Sequence, residues 1–213
     1  MDKANNKIIE WIVLTKAPIA GVVKTRLIPA LGEQGACKLY TQLLRRLEKT
    51  LKHLVEHNNC QVALWIADGD ESGAFQSWSS IATYYKQPDS RDSGMDLGKR
   101  MAMAVQSSLA RGCIPVLIGA DVPDLDEDYL ADCMVQLETS DLVISAAEDG
   151  GYGLLGMKQF YSQLFESKAW GTDSVFHSTR ADIDALKINA AYLPKVWDVD
   201  DLADAKRFYQ LGM

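Results

Sequence analysis

Short apolar runs alternate with longer amphipathic stretches along most of this chain, and no other sequence feature constrains the fold as strongly. The apolar runs predict buried strands at residues 8–14, 62–66, 115–119 and 142–147. Apolar residues at spacings of three and four predict helices from Glu33 to about Val55, over 97–109 and over 127–138. This alternation favours an α/β three-layer sandwich with a mostly parallel sheet.

Shorter elements are predicted in the rest of the chain. Residues 68–80, rich in Gly, Ser and Asp, predict a loop or weak helix, and 81–85 predict a strand. Further along, the pattern predicts an extended segment at 152–157, a helix at 172–186, a strand at 190–193 and a terminal helix from about Asp200. Because no long linker or internal repeat divides the chain, we expect a single domain over 1–213.

Composition excludes several classes of protein. A net charge of -7 argues against a nucleic-acid-binding protein, which normally carries a basic face. No apolar run approaches the roughly 20 residues that cross a bilayer, and the first residues lack a signal-peptide core, so we expect a cytoplasmic protein without a membrane partner. The four cysteines form no C-x-x-C pair, which favours ordinary buried thiols.

A cationic loop follows the first predicted strand and contains Lys16, Lys24 and Arg26. A backbone turn, an ammonium and a guanidinium together can hold phosphates, although such cations can also be solvated surface charges. Val23 stands where the P-loop motif requires Gly, so a P-loop ATPase is not expected. The loop predicts a nucleotide or a phosphorylated substrate.

Acidic turns follow three of the later strands and contain Asp121, Asp149 and Asp198. Ligands of open α/β sheets bind beyond the carboxyl ends of the strands, so these side chains are expected near the cationic loop. Mg²⁺ or Mn²⁺ between carboxylates and phosphates would fit, with Asp121 as the principal ligand and Asp198 as the second. Other aspartates are expected to cap helices, namely Asp124, Asp126 and Asp200.

Seven short motifs occur in a specific order: Lys16-Ala17-Pro18, Gly21-Val22-Val23-Lys24-Thr25-Arg26-Leu27, Asp96-Leu97-Gly98-Lys99-Arg100-Met101, Leu117-Ile118-Gly119-Ala120-Asp121-Val122-Pro123, Glu148-Asp149-Gly150-Gly151-Tyr152, Trp170-Gly171-Thr172-Asp173 and Asp198-Val199-Asp200. In this combination the chain resembles, over its full length, the cofC-like bacterial transferases of the nucleotide-diphospho-sugar transferase (GT-A) superfamily, once grouped as a domain of unknown function. The resemblance implies a GT-A-like fold, a nucleotide over the first strand and loop, and a divalent ion on Asp121.

The resemblance also implies roles for particular residues. The segment Lys24-Thr25-Arg26-Leu27 is similar to the phosphate-binding loop of guanylyltransferases that make deazaflavin-cofactor precursors, which release pyrophosphate from a nucleoside triphosphate. We therefore expect nucleotidyl transfer to a small phosphorylated or acidic acceptor, with Lys24, Arg26 and Asp121 as the catalytic residues. Nucleotide binding is expected from Lys16, Ala17, Pro18, Gly21, Lys24 and Arg26, and acceptor binding from Asp149, Gly150, Gly151, Tyr152, Thr172 and Asp173.

Some residues in these motifs also have a purely structural interpretation. Thr172 is equally consistent with a helix cap, and Trp170 and Tyr152 with packing. Leu97 and Met101 have the spacing of core residues, which favours Arg100 as a solvated neighbour.

Three other functions compete with nucleotidyl transfer. A glycosyltransferase would use a nucleotide sugar, but Asp121-Val122-Pro123 lacks the usual Asp-x-Asp, a spacing found instead at Asp198-Val199-Asp200. The pattern G-x-G-x-x-G at 151–156, with Asp173 beyond it, suggests a dinucleotide-dependent oxidoreductase, although it occurs late in the chain and on a predicted strand. A non-catalytic nucleotide or sugar-phosphate sensor would keep the cationic loop only. The sequence specifies neither the base, the acceptor nor an oligomeric state.

Overall fold

Seven strands form one sheet in the computed structural model, which describes residues 7–67, 73–89 and 94–211. The strands are β1 (Ile9–Lys16), β2 (Cys60–Ala67), β3 (Ala82–Lys86), β4 (Ile114–Ile118), β5 (Leu142–Ala147), β6 (Tyr152–Met157) and β7 (Ala190–Val196). The helices are α1 (Ile28–His57), α2 (Leu97–Ala110), α3 (Glu127–Thr139), α4 (Val175–Ala185) and α5 (Leu202–Gln210). Short 3₁₀ turns occur at Thr25–Leu27, Gln76–Ser80 and Ser162–Leu164.

The strand order is β3-β2-β1-β4-β6-β5-β7, and only β6 runs antiparallel to its neighbours. This arrangement confirms the predicted α/β class with a mostly parallel mixed sheet. Trp11, Ile12 and Val13 in β1 are fully buried, because a central parallel strand is covered by helices on both faces.

Helices cover the sheet on both sides and complete three layers. On one face, α1 and α3 pack through residues such as Leu44 and Leu130 against alternate side chains of β1, β2 and β4. On the other face, α2 and α4 contribute Val105 and Ile183 to a second core. Phe208 of α5 packs in a third cluster with apolar residues of α1.

Several predicted boundaries shift. α1 contains a break at Gly32, whose φ of +71° suits glycine, so the continuous helix begins near Glu33 as predicted. The predicted helix at 172–186 begins only at Val175, and Thr172 is not its cap: the Thr172 hydroxyl donates to the carbonyl of Ala169. β7 continues to Val196, three residues beyond the predicted strand end. Of the predicted loop at 68–80, residues 68–72 lie outside the described residues.

All four cysteines carry free thiols. Cys113 and Cys133 are buried as predicted, whereas Cys37 and Cys60 are only half-buried. Burial raises the pKa of Cys60, Cys113 and Cys133, which disfavours their reactive thiolate forms. Within the described ranges, no helix combines the length and apolar character that crossing a membrane requires.

Candidate functional site

The cationic loop leaves β1 through a tight turn that fixes the approach to Lys24. The amide of Val22 donates to the carbonyl of Ile19 at 3.0 Å, and Gly21 has a φ of +82°. Val23 is 4% exposed and anchors the loop in the core. Lys24 itself has left-handed backbone angles (φ 46°, ψ 45°), which are uncommon for a residue with a side chain. Such local strain is often retained where a side chain must be held in place for binding or catalysis.

Lys24 joins three turns at the carboxyl ends of the strands. Its Nζ donates to Asp121 Oδ2 at 2.6 Å and to Asp200 Oδ1 at 2.9 Å, and its side chain is only 8% exposed. Burial alone would lower the pKa of Lys24, but attraction to Asp121, reinforced by Asp200, raises the pKa above its usual value. Arg26 Nη1 donates to the second oxygen of Asp200 at 2.9 Å while remaining exposed.

A cavity of about 430 Å³ opens beside these ion pairs, a size within the range of small-molecule sites. Lys16, Lys24 and Arg26 line it together with Asp121, so the structure brings these predicted residues into one cavity. Three other predicted nucleotide-binding residues do not line it: Ala17, Pro18 and Gly21 shape the loop instead. The carbonyl of Pro18, for example, accepts a hydrogen bond from the Cys37 thiol at 3.0 Å.

A second cavity of about 200 Å³ shares Asp121 with the first as a lining residue. Of the predicted acceptor-binding residues, the second cavity is lined by Asp149, Gly151, Tyr152 and Thr172.

Gly150 and Asp173 do not line the second cavity but pack against each other behind it. A Cβ on Gly150 would lie 2.3 Å from backbone atoms of Asp173, so only glycine permits this approach.

The aspartates around the second cavity repel one another. Burial, followed by the charges of Asp149, Asp121 and Asp200, raises the pKa of Asp198 to about 6. In residues 7–67, 73–89 and 94–211, no group of three or more carboxylate, imidazole or thiol side chains is arranged to hold a metal. Mg²⁺ commonly takes one or two carboxylates and completes its shell with phosphate oxygens and water, so the donors present suit a cation that arrives with a phosphorylated ligand.

Two of the three predicted helix caps have other roles. Asp126 does cap α3, because its carboxylate accepts from the amide of Tyr129 at 2.9 Å. Asp124 instead accepts a hydrogen bond from Trp197 Nε1 at 2.9 Å. Asp200 pairs with the two cations, and the neighbouring Asp201 caps α5 in a capping box.

Arg100 is not the solvated neighbour that its helical position favours. Its guanidinium lines the larger cavity, where Nη1 donates to Gln87 Oε1 at 2.9 Å. Gln87 is a site residue that sequence reasoning missed, and its only signal is a polar residue directly after a strand. Met101 is buried as expected, but Leu97 is 37% exposed and lines both cavities, so it is not a core residue.

Aromatic residues close the second cavity. The ring of Tyr152 meets Trp170 edge-on at 6.3 Å, and its hydroxyl lies 3.6 Å from the sulfur of Met101. Burial raises the pKa of Tyr152, which keeps the phenol neutral. The side chains of Tyr152 and Trp170 therefore pack against each other and also line the cavity.

The glycine-rich pattern at 151–156 has no role in a dinucleotide site. Most of it lies in β6, an antiparallel strand inside the sheet, whereas a dinucleotide fingerprint must turn from a strand into a helix. A Cβ on Gly153 would lie 2.5 Å from the side chain of Val196, so close packing explains this glycine. The pattern is therefore not a dinucleotide fingerprint, and the feature that suggested an oxidoreductase is gone.

The fold places this chain in the nucleotide-diphospho-sugar transferase (GT-A-like) class, as the motif resemblance implies. It is similar to a crystal structure from Desulfovibrio desulfuricans G20 that is provisionally described as a nucleotide-diphospho-sugar transferase. The two sequences are 26% identical, and the structures superpose over 95% of this chain and 87% of that chain with a TM-score of 0.81. The chain belongs to the family described as "Uncharacterized protein conserved in bacteria (DUF2064)", which it matches over residues 50–172. No curated protein matches it.

More distant structures share the fold alone. The 4-diphosphocytidyl-2C-methyl-D-erythritol synthase of Anaerococcus prevotii DSM 20548 is 11% identical, with 96% of each chain covered and a TM-score of 0.60. The inositol-1-phosphate CTP transferase from T. maritima is 12% identical, with 96% of this chain and 94% of that chain covered and a TM-score of 0.51.

Proposed function

We propose that this protein is a nucleotidyltransferase that takes a nucleoside triphosphate and a small phosphorylated or acidic acceptor and releases pyrophosphate. The observation that carries the proposal is the position of Asp121, which lines both cavities and binds Lys24. A nucleotide in the larger cavity and an acceptor in the smaller one would meet at this residue. Bringing the two reactants together in one orientation is the main source of catalysis in phosphoryl and nucleotidyl transfer.

Lys24 and Arg26 are the proposed phosphate-binding residues. Both cations are paired with carboxylates, Lys24 with Asp121 and Asp200 and Arg26 with Asp200. A triphosphate would offer Lys24 alternative oxygen acceptors of higher charge, and its ammonium would stabilise the charge that develops on the pyrophosphate leaving group. Lys16 adds a third cation to the same wall, while Ala17, Pro18 and Gly21 set the path of the loop.

A divalent cation completes the proposed site. Asp121 and Asp198 would hold Mg²⁺ or Mn²⁺, which neutralises charge on phosphate oxygens when it is bound. The residues fit this ion because repulsion among the aspartates leaves the site in need of positive charge. Among the described residues, the side chains that line the smaller cavity include three aspartates and no Lys or Arg, so an acidic acceptor would bind with the cation beside it.

The smaller cavity is the proposed acceptor site. Asp149, Gly151, Tyr152 and Thr172 would contact the acceptor, whereas Gly150 and Asp173 would hold the wall in shape.

Glycosyl transfer from a nucleotide sugar is the second candidate. The description of the D. desulfuricans structure favours it, and so does the spacing of Asp198 and Asp200. The two reactions differ in their products, because only nucleotidyl transfer from a triphosphate releases pyrophosphate.

Pyrophosphate release tests the proposal directly. Purified protein is incubated with each of the four nucleoside triphosphates, Mg²⁺ and a panel of small phosphorylated and carboxylic acceptors. We expect acceptor-dependent release that D121N abolishes and that the exposed control D184N leaves unchanged. Consumption of a nucleotide sugar without pyrophosphate release would support glycosyl transfer, and nucleotide binding with neither reaction would indicate a sensor.

A further inference from the structure

The ammonium of Lys24 bridges two carboxylates of the proposed site. Its Nζ lies 2.6 Å from Asp121 Oδ2 and 2.9 Å from Asp200 Oδ1. The Lys24 side chain is only 8% exposed, whereas that of Asp121 is 30% exposed and borders both cavities. A buried cation of the protein itself is therefore in contact with the carboxylate that the proposed function gives to a divalent metal ion.

The backbone around Lys24 is anchored on both sides, which leaves its side chain as the movable part. Val23 is 4% exposed and Leu27 is 1% exposed, and each belongs to an apolar core cluster. The amide of Leu27 also donates to the carbonyl of Lys24 at 2.9 Å. A lysine side chain has a flexible four-carbon stem and three rotatable donors, so it can exchange one set of oxygen acceptors for another. The ammonium can therefore leave Asp121 while the loop keeps its path.

The ammonium and a divalent cation compete for Asp121. Both are attracted to the same carboxylate, and two cations held a few ångströms apart on it repel each other. Mg²⁺ also gives up its water reluctantly, so a pair of carboxylates of which one is engaged by Lys24 should hold the free ion weakly. A triphosphate changes this balance, because its oxygens offer the ammonium new acceptors and offer the metal ion further ligands.

We propose that Lys24 opposes metal binding at Asp121 until a triphosphate draws the ammonium away, so that the divalent cation enters with the nucleotide and not before it. This inference rests on the proposed function. Arg26 Nη1 bonds the second oxygen of Asp200 at 2.9 Å, so Asp200 keeps a cationic partner when Lys24 turns to the phosphates. Asp121 in turn exchanges the ammonium for the metal ion. The exchange makes metal binding depend on the presence of the substrate.

Titration of Mn²⁺ into the protein without nucleotide, followed by electron paramagnetic resonance of the free ion, tests this inference without relying on activity. We expect K24M to bind Mn²⁺ at least about tenfold more tightly than the wild-type protein, because the competing like charge is removed. Adding D121N to K24M should abolish the gain. K24Q keeps a polar side chain of similar length without the charge and should behave as K24M does, which covers the case in which K24M does not fold.

K16M is the matched control. Lys16 lines the same cavity as Lys24, but it is not an ion-pair partner of Asp121. K16M therefore removes one positive charge from the same wall and leaves the contact between Lys24 and Asp121 in place. Without nucleotide, its Mn²⁺ affinity should stay within about twofold of wild type, as expected for a partly screened charge at a distance.

Three results would overturn the inference: equal Mn²⁺ affinity in wild type and the Lys24 variants, an equal gain in K16M, or a gain in K24M that survives D121N. Triphosphate binding by the wild-type protein, measured in the same buffer by calorimetry, separates this inference from the proposed function. If the triphosphate binds while any of the three results is obtained, only the inference fails. If the folded protein binds no triphosphate, the proposed function fails.

Discussion

The ammonium of Lys24 lies 2.6 Å from a carboxylate oxygen of Asp121, a residue 97 positions further along the chain. The two residues follow β1 and β4, which are adjacent and parallel, so their carboxyl ends deliver both side chains to the same edge of the sheet. Asp200 adds a third turn to the same ammonium. The ion pairs therefore assemble the site from three distant segments of sequence.

Replacing Lys24 should damage both folding and binding. K24M removes the cation from Asp121 and leaves Asp200 paired with Arg26 alone, and we expect the free energy of unfolding to fall by about 2 kcal/mol, less than for a fully buried pair because both carboxylates are partly exposed. Triphosphate affinity should fall as well. Denaturant unfolding and calorimetry measure the two effects; unchanged affinity in the folded variant would remove Lys24 from the site.

Replacing Arg26 should weaken triphosphate binding with little effect on the stability of the fold. Its side chain is 76% exposed, so R26A should change the free energy of unfolding by less than about 0.5 kcal/mol. The KM for the triphosphate should nevertheless rise, because the guanidinium is a proposed phosphate ligand. Steady-state kinetics at two salt concentrations provide the measurement. A KM equal to that of wild type would mean that Arg26 is an ordinary surface charge.

Asp198 should make the protein less stable as the pH rises, whereas a salt-bridged carboxylate makes a protein more stable as the pH rises. Its pKa is raised to about 6 in the folded protein, compared with an ordinary value of 3.8, so between these values the folded state retains a proton that the unfolded state has lost. The contribution of Asp198 to stability therefore falls as pH rises from about 4 to 6, and the penalty is constant at higher pH.

The variant D198N isolates this effect. It should be more stable than wild type at pH 8 without Mg²⁺, and the difference should become small as the pH falls below the ordinary pKa of 3.8, where the carboxyl becomes protonated in both states. Thermal unfolding of the two proteins across this pH range gives the comparison. A stability difference that does not vary with pH would show that burial and the neighbouring aspartates do not raise the pKa of Asp198.

Adding a single methyl group at position 98, as in G98A, should destabilise the protein. A Cβ there would lie 2.3 Å from the carbonyl oxygen of Phe165 and 2.6 Å from the ring of Trp170. We expect G98A to lower the free energy of unfolding by about 1–3 kcal/mol through overpacking and to raise the KM for the acceptor, because Trp170 lines the smaller cavity. A fully stable G98A with normal kinetics would show that this wall is free to move.

Local patterns were sufficient to predict most elements of the fold. The apolar runs of β1, β2, β4 and β5 and the helical stripes of α1 to α3 were recognised because burial imposes a period on the sequence. The antiparallel direction of β6 was not predicted, because strand pairing depends on contacts between segments that are distant in sequence.

The site was predictable where strand ends meet and less so elsewhere. Lys24, Arg26 and Asp121 were predicted because they lie in the loops that follow two adjacent parallel strands, β1 and β4. The position of Asp200 before a helix predicts a cap, but Asp201 performs that role and Asp200 pairs with cations. The helical position of Arg100 predicts a surface charge, because its partner Gln87 lies 13 positions away, beyond a strand end.

Calorimetric titration of the wild-type protein with nucleoside triphosphates and nucleotide sugars, with Mg²⁺ or Mn²⁺ and then with a chelator, tests the central claim most directly. The proposed function predicts that a triphosphate binds more tightly than any nucleotide sugar, that the chelator weakens this binding, and that K24M weakens it further. Tighter binding of a nucleotide sugar, or no binding of either class by folded protein, would contradict the assignment of this site to nucleotidyl transfer.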